Sequence, residues 1–165
     1  MTAADEPMLR NLVQLYAYDF AEIMGSDLPD SGRFPDGIAD GCFDGAMRQA
    51  FSLRVDGGLA GFAIVELRSR LTGEDGVRDV AEFFVARRHR GRGVGAEAAR
   101  ALFDRFGGRW EVRQTEKNVA ALAFWRKVIA RYTGGRYQES HQDSARWRGP
   151  VQHFDCADAP RASCQ

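Results

Sequence analysis

The residues best suited to do chemistry stand together between Val80 and Gly95. An apolar run, Val80 to Val85, leads into four arginines (Arg87, Arg88, Arg90 and Arg92) and glycines at alternate positions, Gly91, Gly93 and Gly95. A helical pattern follows at once, from Ala96 to Phe106. Strand, glycine-rich turn and helix N-terminus make a site for a phosphate-bearing ligand. The glycines remove side chains so that backbone N–H groups can close on anionic oxygens, and the helix dipole adds partial positive charge. Glycines after a strand are often turn punctuation alone. Here the arginines and the immediate helix favour the anion site.

The elements that must position this segment can be read from hydrophobic spacing. Leu9, Leu12, Val13, Tyr16 and Phe20 recur at helical spacing after Pro7. Residues 25–45, rich in Gly, Asp and Pro, read as a long loop carrying a short helix. A hairpin follows, Phe51 to Val55 and Leu59 to Leu67 around Asp56-Gly57-Gly58. A second turn at Thr72 to Gly76 leads into a strand from Val77 to Ala86. Val94, Ala98, Leu102, Phe103 and Phe106 share one face of the next helix, which ends at Gly107-Gly108. Trp110 to Gln114 reads as a short strand. Asn118 caps a helix with Ala121, Phe124, Trp125 and Val128 as its stripe. Arg131 to Tyr137 and Val151 to Phe154 read as the last strands, with Arg146 to Pro150 as connecting loop.

This order describes a mixed α/β sheet with helices on its faces, one domain over residues 1–155 and a flexible tail over 156–165. A dinucleotide-binding fold would place its glycine turn after the first strand. No Lys-Ser or Lys-Thr follows the glycines, so the P-loop pattern also fails.

Composition narrows the class further. The 165 residues are 44% hydrophobic and 28% charged, with zero formal net charge, which suits an ordinary globular domain. Zero net charge gives no general attraction to nucleic acid or to anionic membranes. The arginine run could still pair with Trp147 as a nucleic-acid patch, but no second basic cluster of similar density supports it. No apolar run is long enough to cross a bilayer, and the acidic N-terminus does not resemble a signal peptide. Cys42, Cys156 and Cys164 lack metal-ligand spacing, so no metal is expected and a reduced, cytoplasmic setting is.

Two blocks resemble the GNAT N-acetyltransferase superfamily. Arg90-Gly91-Arg92-Gly93-Val94-Gly95 is similar to its Arg/Gln-x-x-Gly-x-Gly/Ala signature. Asn118-Val119-Ala120-Ala121-Leu122-Ala123-Phe124-Trp125 is similar to its Asn-x-x-Ala-x-x-Phe-Tyr block on a following helix. The resemblance covers about Phe51 to Arg131. It implies the GNAT acyl-CoA N-acyltransferase fold, a central, mostly antiparallel sheet with splayed strands flanked by helices. It also implies acetyl transfer from acetyl-CoA to an amine of a small molecule or peptide, by direct attack in a ternary complex. Carried over, the amides from Arg90 through Gly91, Arg92, Gly93, Val94 and Gly95 to Ala96 would hold the pyrophosphate. Phe83, Phe84 and Val85 would meet the pantetheine arm, Asn118 would lie beside it, and Phe124 and Trp125 would line its channel.

The family usually has tyrosine where this chain has Trp125, and that tyrosine is proposed as the acid for the leaving thiolate. An indole donates a hydrogen bond but is not a useful acid. Tyr132 and Tyr137 lie nearby in sequence, and the acid stays unassigned. For the base, Glu82 is the first choice among side chains, with Asp79 or a water relay as alternatives, although a structural salt-bridge role is the commoner one for any single carboxylate. The missing tyrosine also admits a catalytically weak acyl-CoA-binding sensor or partner module. The resemblance places the acceptor against residues 20–50, whose Asp27, Asp30, Asp36, Asp40 and Asp44 would suit a cationic amine, although loop aspartates are commonly just solvated. Many relatives dimerise, so a homodimer is a further expectation.

Overall fold

The computed structural model describes residues 1–45 and 47–159. The chain runs α1 (Glu6–Met24), β1 (Arg48–Val55), β2 (Gly58–Arg68), β3 (Asp75–Val85), α2 (Val94–Phe106), β4 (Arg109–Arg113), α3 (Val119–Thr133), β5 (Gln138–Asp143) and β6 (Arg148–Asp155). One six-stranded sheet has the order β1-β2-β3-β4-β6-β5. Every neighbouring pair is antiparallel except β3 with β4.

Local chemistry accounts for the element ends. Pro7 lies in the first turn of α1, where its missing N–H costs nothing. In the β1–β2 hairpin both Asp56 and Gly57 have positive φ, the backbone that a two-residue turn of the right twist requires.

Two apolar clusters cover the two sheet faces. Leu9 and Val13 of α1 pack with Phe62, Ile64 and Phe84 on one face. Phe103 of α2 and Trp125 and Ile129 of α3 pack with Trp110, Val112 and Phe154 on the other. Fully burying each such side chain contributes about 1.5–3 kcal/mol, so both helical layers are held firmly to the sheet.

Three expectations change at the C-terminal end. Arg131 to Tyr137 is not a strand: α3 runs on to Thr133, Gly134 ends it in a left-handed conformation, and the strand begins at Gln138. Burial of Ile129 and Thr133 explains this, since the apolar stripe continues a turn past Val128. The stretch before Pro150 is not all loop, because Arg148 pairs with Asp143 and starts β6. Cys156 to Asp158 form a single 3₁₀ turn, with Cys156 packed against the core. Cys164 and the rest of residues 160–165 lie outside the described residues.

Among the described residues, no helix is long and apolar enough to cross a membrane. Nor do three or more His, Cys, Asp or Glu side chains gather where they could hold a metal ion.

Candidate active site

The site begins where the sheet splits. β3 and β4 pair only from Val77↔Arg109 to Asp79↔Glu111, after which, among the described residues, Val80 to Val85 run on without a strand partner on that side. The strands diverge there and leave a wedge with an open β3 edge. At its vertex Asp79 is fully buried, and Arg113 grips both its oxygens at 2.7 and 3.0 Å. The Trp147 ring covers that guanidinium, 4.6 Å from its centroid. Both Asp79 oxygens are therefore committed to an ion pair.

A bulge aims the side chains of the open edge. Ile64 pairs with Glu82 and Val65 with Val80, so Ala81 is an extra residue between them. As a result Glu82 and Phe84 face α1, while Phe83 faces α2 and α3. Oε2 of Glu82 accepts from the Tyr16 hydroxyl at 2.7 Å. Burial raises the Glu82 carboxyl above its ordinary range, against smaller lowering effects from Tyr16 and from Arg48, Arg70 and Arg113. Tyr16 is held in turn by aromatic contacts with Phe20, Phe62 and Phe84, and its own ionisation is pushed far up, first by burial.

Beyond Val85 the glycine turn has the form of an anion cradle. Gly91 and Gly93 both have positive φ, and Gly93 leads directly into α2. Among the described residues no backbone carbonyl accepts from the amides of Gly91 to Ala96, the first being that of Glu97 to Gly93. Gly95 allows close packing: a Cβ there would stand 3.2 Å from the Phe124 ring and 3.5 Å from Val85. The turn, the end of β3 and the start of α3 thus meet at one point.

The arginines divide. Arg90 bends back to the Val85 carbonyl and to Asp19, and Arg87 reaches Asp19 and Glu22. Arg88 and Arg92 are exposed and, among the described residues, have no ion-pair partner. The Arg90 amide, expected to open the anion-holding run, instead donates to the Arg87 carbonyl at 3.2 Å and closes the 3₁₀ turn of Arg87 to His89, so the run begins at Gly91, and the Arg90 side chain is committed as well.

On α3, Asn118 accepts from the Ala121 amide at 3.0 Å and caps the helix. Phe124 is half-buried and stacks on Phe83 with centroids 6.0 Å apart. Trp125 is only 5% exposed and sits in the core between Phe83 and Phe103. Phe124 is therefore the side chain available to a channel, and Trp125 backs it. Tyr132 donates to Asp104 at 2.8 Å. Asp104 is ten residues along α2 from Val94, or about 15 Å at 1.5 Å per residue, which puts Tyr132 at the far end from the glycine turn. Tyr137 lies by Trp110 and His153, also away from it.

Sequence reading missed Tyr16 and Asp19 as site residues. Tyr16 was legible only as part of an apolar stripe, although a buried phenol needs a polar partner. In the loop before β1, Arg10 takes up Asp36 and Asp40, and Gln14 exchanges two hydrogen bonds with Phe34. Of the loop aspartates, Asp27, Asp30 and Asp44 remain in solvent.

Comparison with known proteins bears on the family and the fold. Residues 13–129 match the model of the acetyltransferase (GNAT) family. No curated protein sequence matches the chain. Among solved structures, an acetyltransferase from Thermus thermophilus is similar at 16% identity and a TM-score of 0.66, over 94% of this chain and 93% of that one. An aminoglycoside acetyltransferase in complex with coenzyme A is similar at 14% identity and a TM-score of 0.65, over 96% and 93%. The ribosomal-protein-S18-alanine N-acetyltransferase of Escherichia coli follows at 14% identity and a TM-score of 0.53, over 81% and 83%. At these identities the likeness is one of fold; the family match spans most of the chain. The chain belongs to the acetyltransferase (GNAT) family, and with it to the acetyl-CoA-dependent N-acetyltransferases.

Proposed function

We propose that this protein transfers the acetyl group of acetyl-CoA to a primary amine of a small molecule or peptide, by direct attack within a ternary complex. The observation that carries the reading is the unpaired edge from Val80 to Val85 running into the free amides of Gly91 to Ala96. An open strand edge suits the amide groups of a pantetheine arm, and the amide run suits its diphosphate. Arg88 and Arg92 are the side chains with charge to spare for phosphate.

On this reading Glu82 is the general base. Asp79 is spent on Arg113, whereas Glu82 stands on the open edge with one oxygen on Tyr16. A carboxyl raised by burial is better matched to an amine proton than an ordinary one. The amine loses its proton to Glu82 as its nitrogen bonds the acetyl carbon. The carbon–sulfur bond breaks, and the thiol is the second product. The proton donor to that sulfur is unassigned, since the indole of Trp125 is buried and no acid.

That position supports a second reading, a catalytically weak acyl-CoA-binding module. Calorimetry with acetyl-CoA and a thiol-release assay over a panel of amines separate the two. Micromolar binding with turnover on at least one amine supports the transferase. Binding without turnover on any amine supports the module, and absence of binding rejects both.

A further inference from the structure

Two of the polar contacts that join α1 to β3 and the turn beyond it share one helical face. One is the Tyr16 hydroxyl on Glu82. The other is made by Asp19, three residues on and hence on the same helical face. Its Oδ1 accepts from Nε of Arg87 at 3.0 Å and its Oδ2 from Nη2 of Arg90. Nε of Arg90 donates to the Val85 carbonyl at 2.7 Å. The guanidinium also lies over the Phe84 ring, 5.8 Å from its centroid. Arg90 is therefore held on three sides, by Asp19, by Val85 and by Phe84.

The end of α1 is fastened on the opposite bank too. Lys117, beside the cap of α3, donates to the Met24 carbonyl at 3.2 Å. On the first bank, Glu22 takes a second bond from Arg87 at 3.0 Å. The last turns of α1 thus bridge the strand end and the start of α3. Asp19 is the deepest of these anchors, with its side chain 17% exposed against 76% for Glu22. Burial alone would raise its carboxyl, but the hydrogen bonds from Arg90 and Arg87 hold it below the ordinary value.

We propose that Asp19 is a positioning residue for acyl-donor binding. Through Arg90 it fixes the Val85 carbonyl and the entry of the glycine turn, so that the amides of Gly91 to Ala96 are preset for the diphosphate. The inference rests on the reading of Val80 to Ala96 as the acetyl-CoA site. The opposite role has the opposite sign: a carboxylate that merely neutralised Arg87 and Arg90 would compete with the diphosphate for them.

Calorimetry of acetyl-CoA binding decides the sign, using the full chain as wild type, Asp19→Asn, Asp19→Glu, Arg90→Gln and the Asp19→Asn/Arg90→Gln double variant. Loss of the clamp should weaken acetyl-CoA binding about tenfold in Asp19→Asn, the scale of one charge-assisted hydrogen bond. Asp19→Glu should recover part of it. The double variant should bind no more weakly than Arg90→Gln alone, because both act through one contact. With acetyl-CoA saturating, kcat of Asp19→Asn should stay within about twofold while KM for acetyl-CoA rises. Tighter binding by Asp19→Asn, or additive losses in the double variant, would overturn the proposal while leaving the site reading intact. Failure of the wild type to bind acetyl-CoA would overturn the site reading and this inference with it.

Discussion

The Tyr16 hydroxyl donates to Oε2 of Glu82 at 2.7 Å, joining the first helix to the open edge of β3. This bond lowers the Glu82 carboxyl, while burial raises it by more. Tyr16→Phe removes only the lowering effect. The acidic limb of the rate profile should therefore move to higher pH, with kcat at the plateau changed by about threefold or less. A limb that stays in place, or moves to lower pH, contradicts the assignment of Glu82 as the titrating base. The same sign governs stability. A carboxyl raised on folding favours the native state most below its unfolded value, and that contribution is lost as pH rises through the folded one.

Glu82→Gln separates chemistry from binding. It should lower kcat by about 10²–10⁴, the usual worth of a positioned general base. Acetyl-CoA affinity should stay within about twofold, because Glu82 faces α1 rather than the glycine turn. Stopped assays across pH, combined with calorimetry, check both halves. A full rate in the variant would move the role to a water relay.

Gly93 tests the anion cradle by a paired substitution. It has φ +86°, and a Cβ there meets nothing within 4 Å. Asp and Asn impose similar backbone strain, and both tolerate the left-handed region better than most residues. They differ in charge. Gly93→Asp should weaken acetyl-CoA binding at least about tenfold more than Gly93→Asn, as one unfavourable charge contact implies. Equal losses in the two variants would point to backbone strain and away from a diphosphate at this turn.

The wedge depends on its vertex. Arg113→Met would leave Asp79, fully buried, without a counter-charge, and should destabilise the fold by about 3–5 kcal/mol. Adding Asp79→Leu should restore most of that loss, since removing both charges avoids the uncompensated one. Denaturant titration of the two variants measures this. A single variant as stable as wild type would show that the pair does not hold the strands where they part.

The sequence by itself determined the strand, glycine turn and helix from Val80 to Phe106, because the residues that make them are contiguous. A glycine turn between strand and helix exposes backbone amides only a few residues apart, so Gly91 to Ala96 could be read locally, as could the Asn118 cap. The hairpin at Asp56-Gly57 was legible for the same reason. Features that depend on packing between distant segments were not. The end of α3 was misplaced because burial of Ile129 and Thr133 overrides the strand-like residues that follow. The arginines looked equivalent in the sequence, and only tertiary structure showed Arg87 and Arg90 tied to Asp19 while Arg88 and Arg92 have no ion-pair partner among the described residues. Tertiary structure likewise separated the acidic residues: pairing with Arg113 commits Asp79, and a one-residue bulge at Ala81 turns Glu82 toward Tyr16. Charge pairs across 34 or 71 residues leave no periodic signal in a chain, since their energy depends on burial and distance in the folded state.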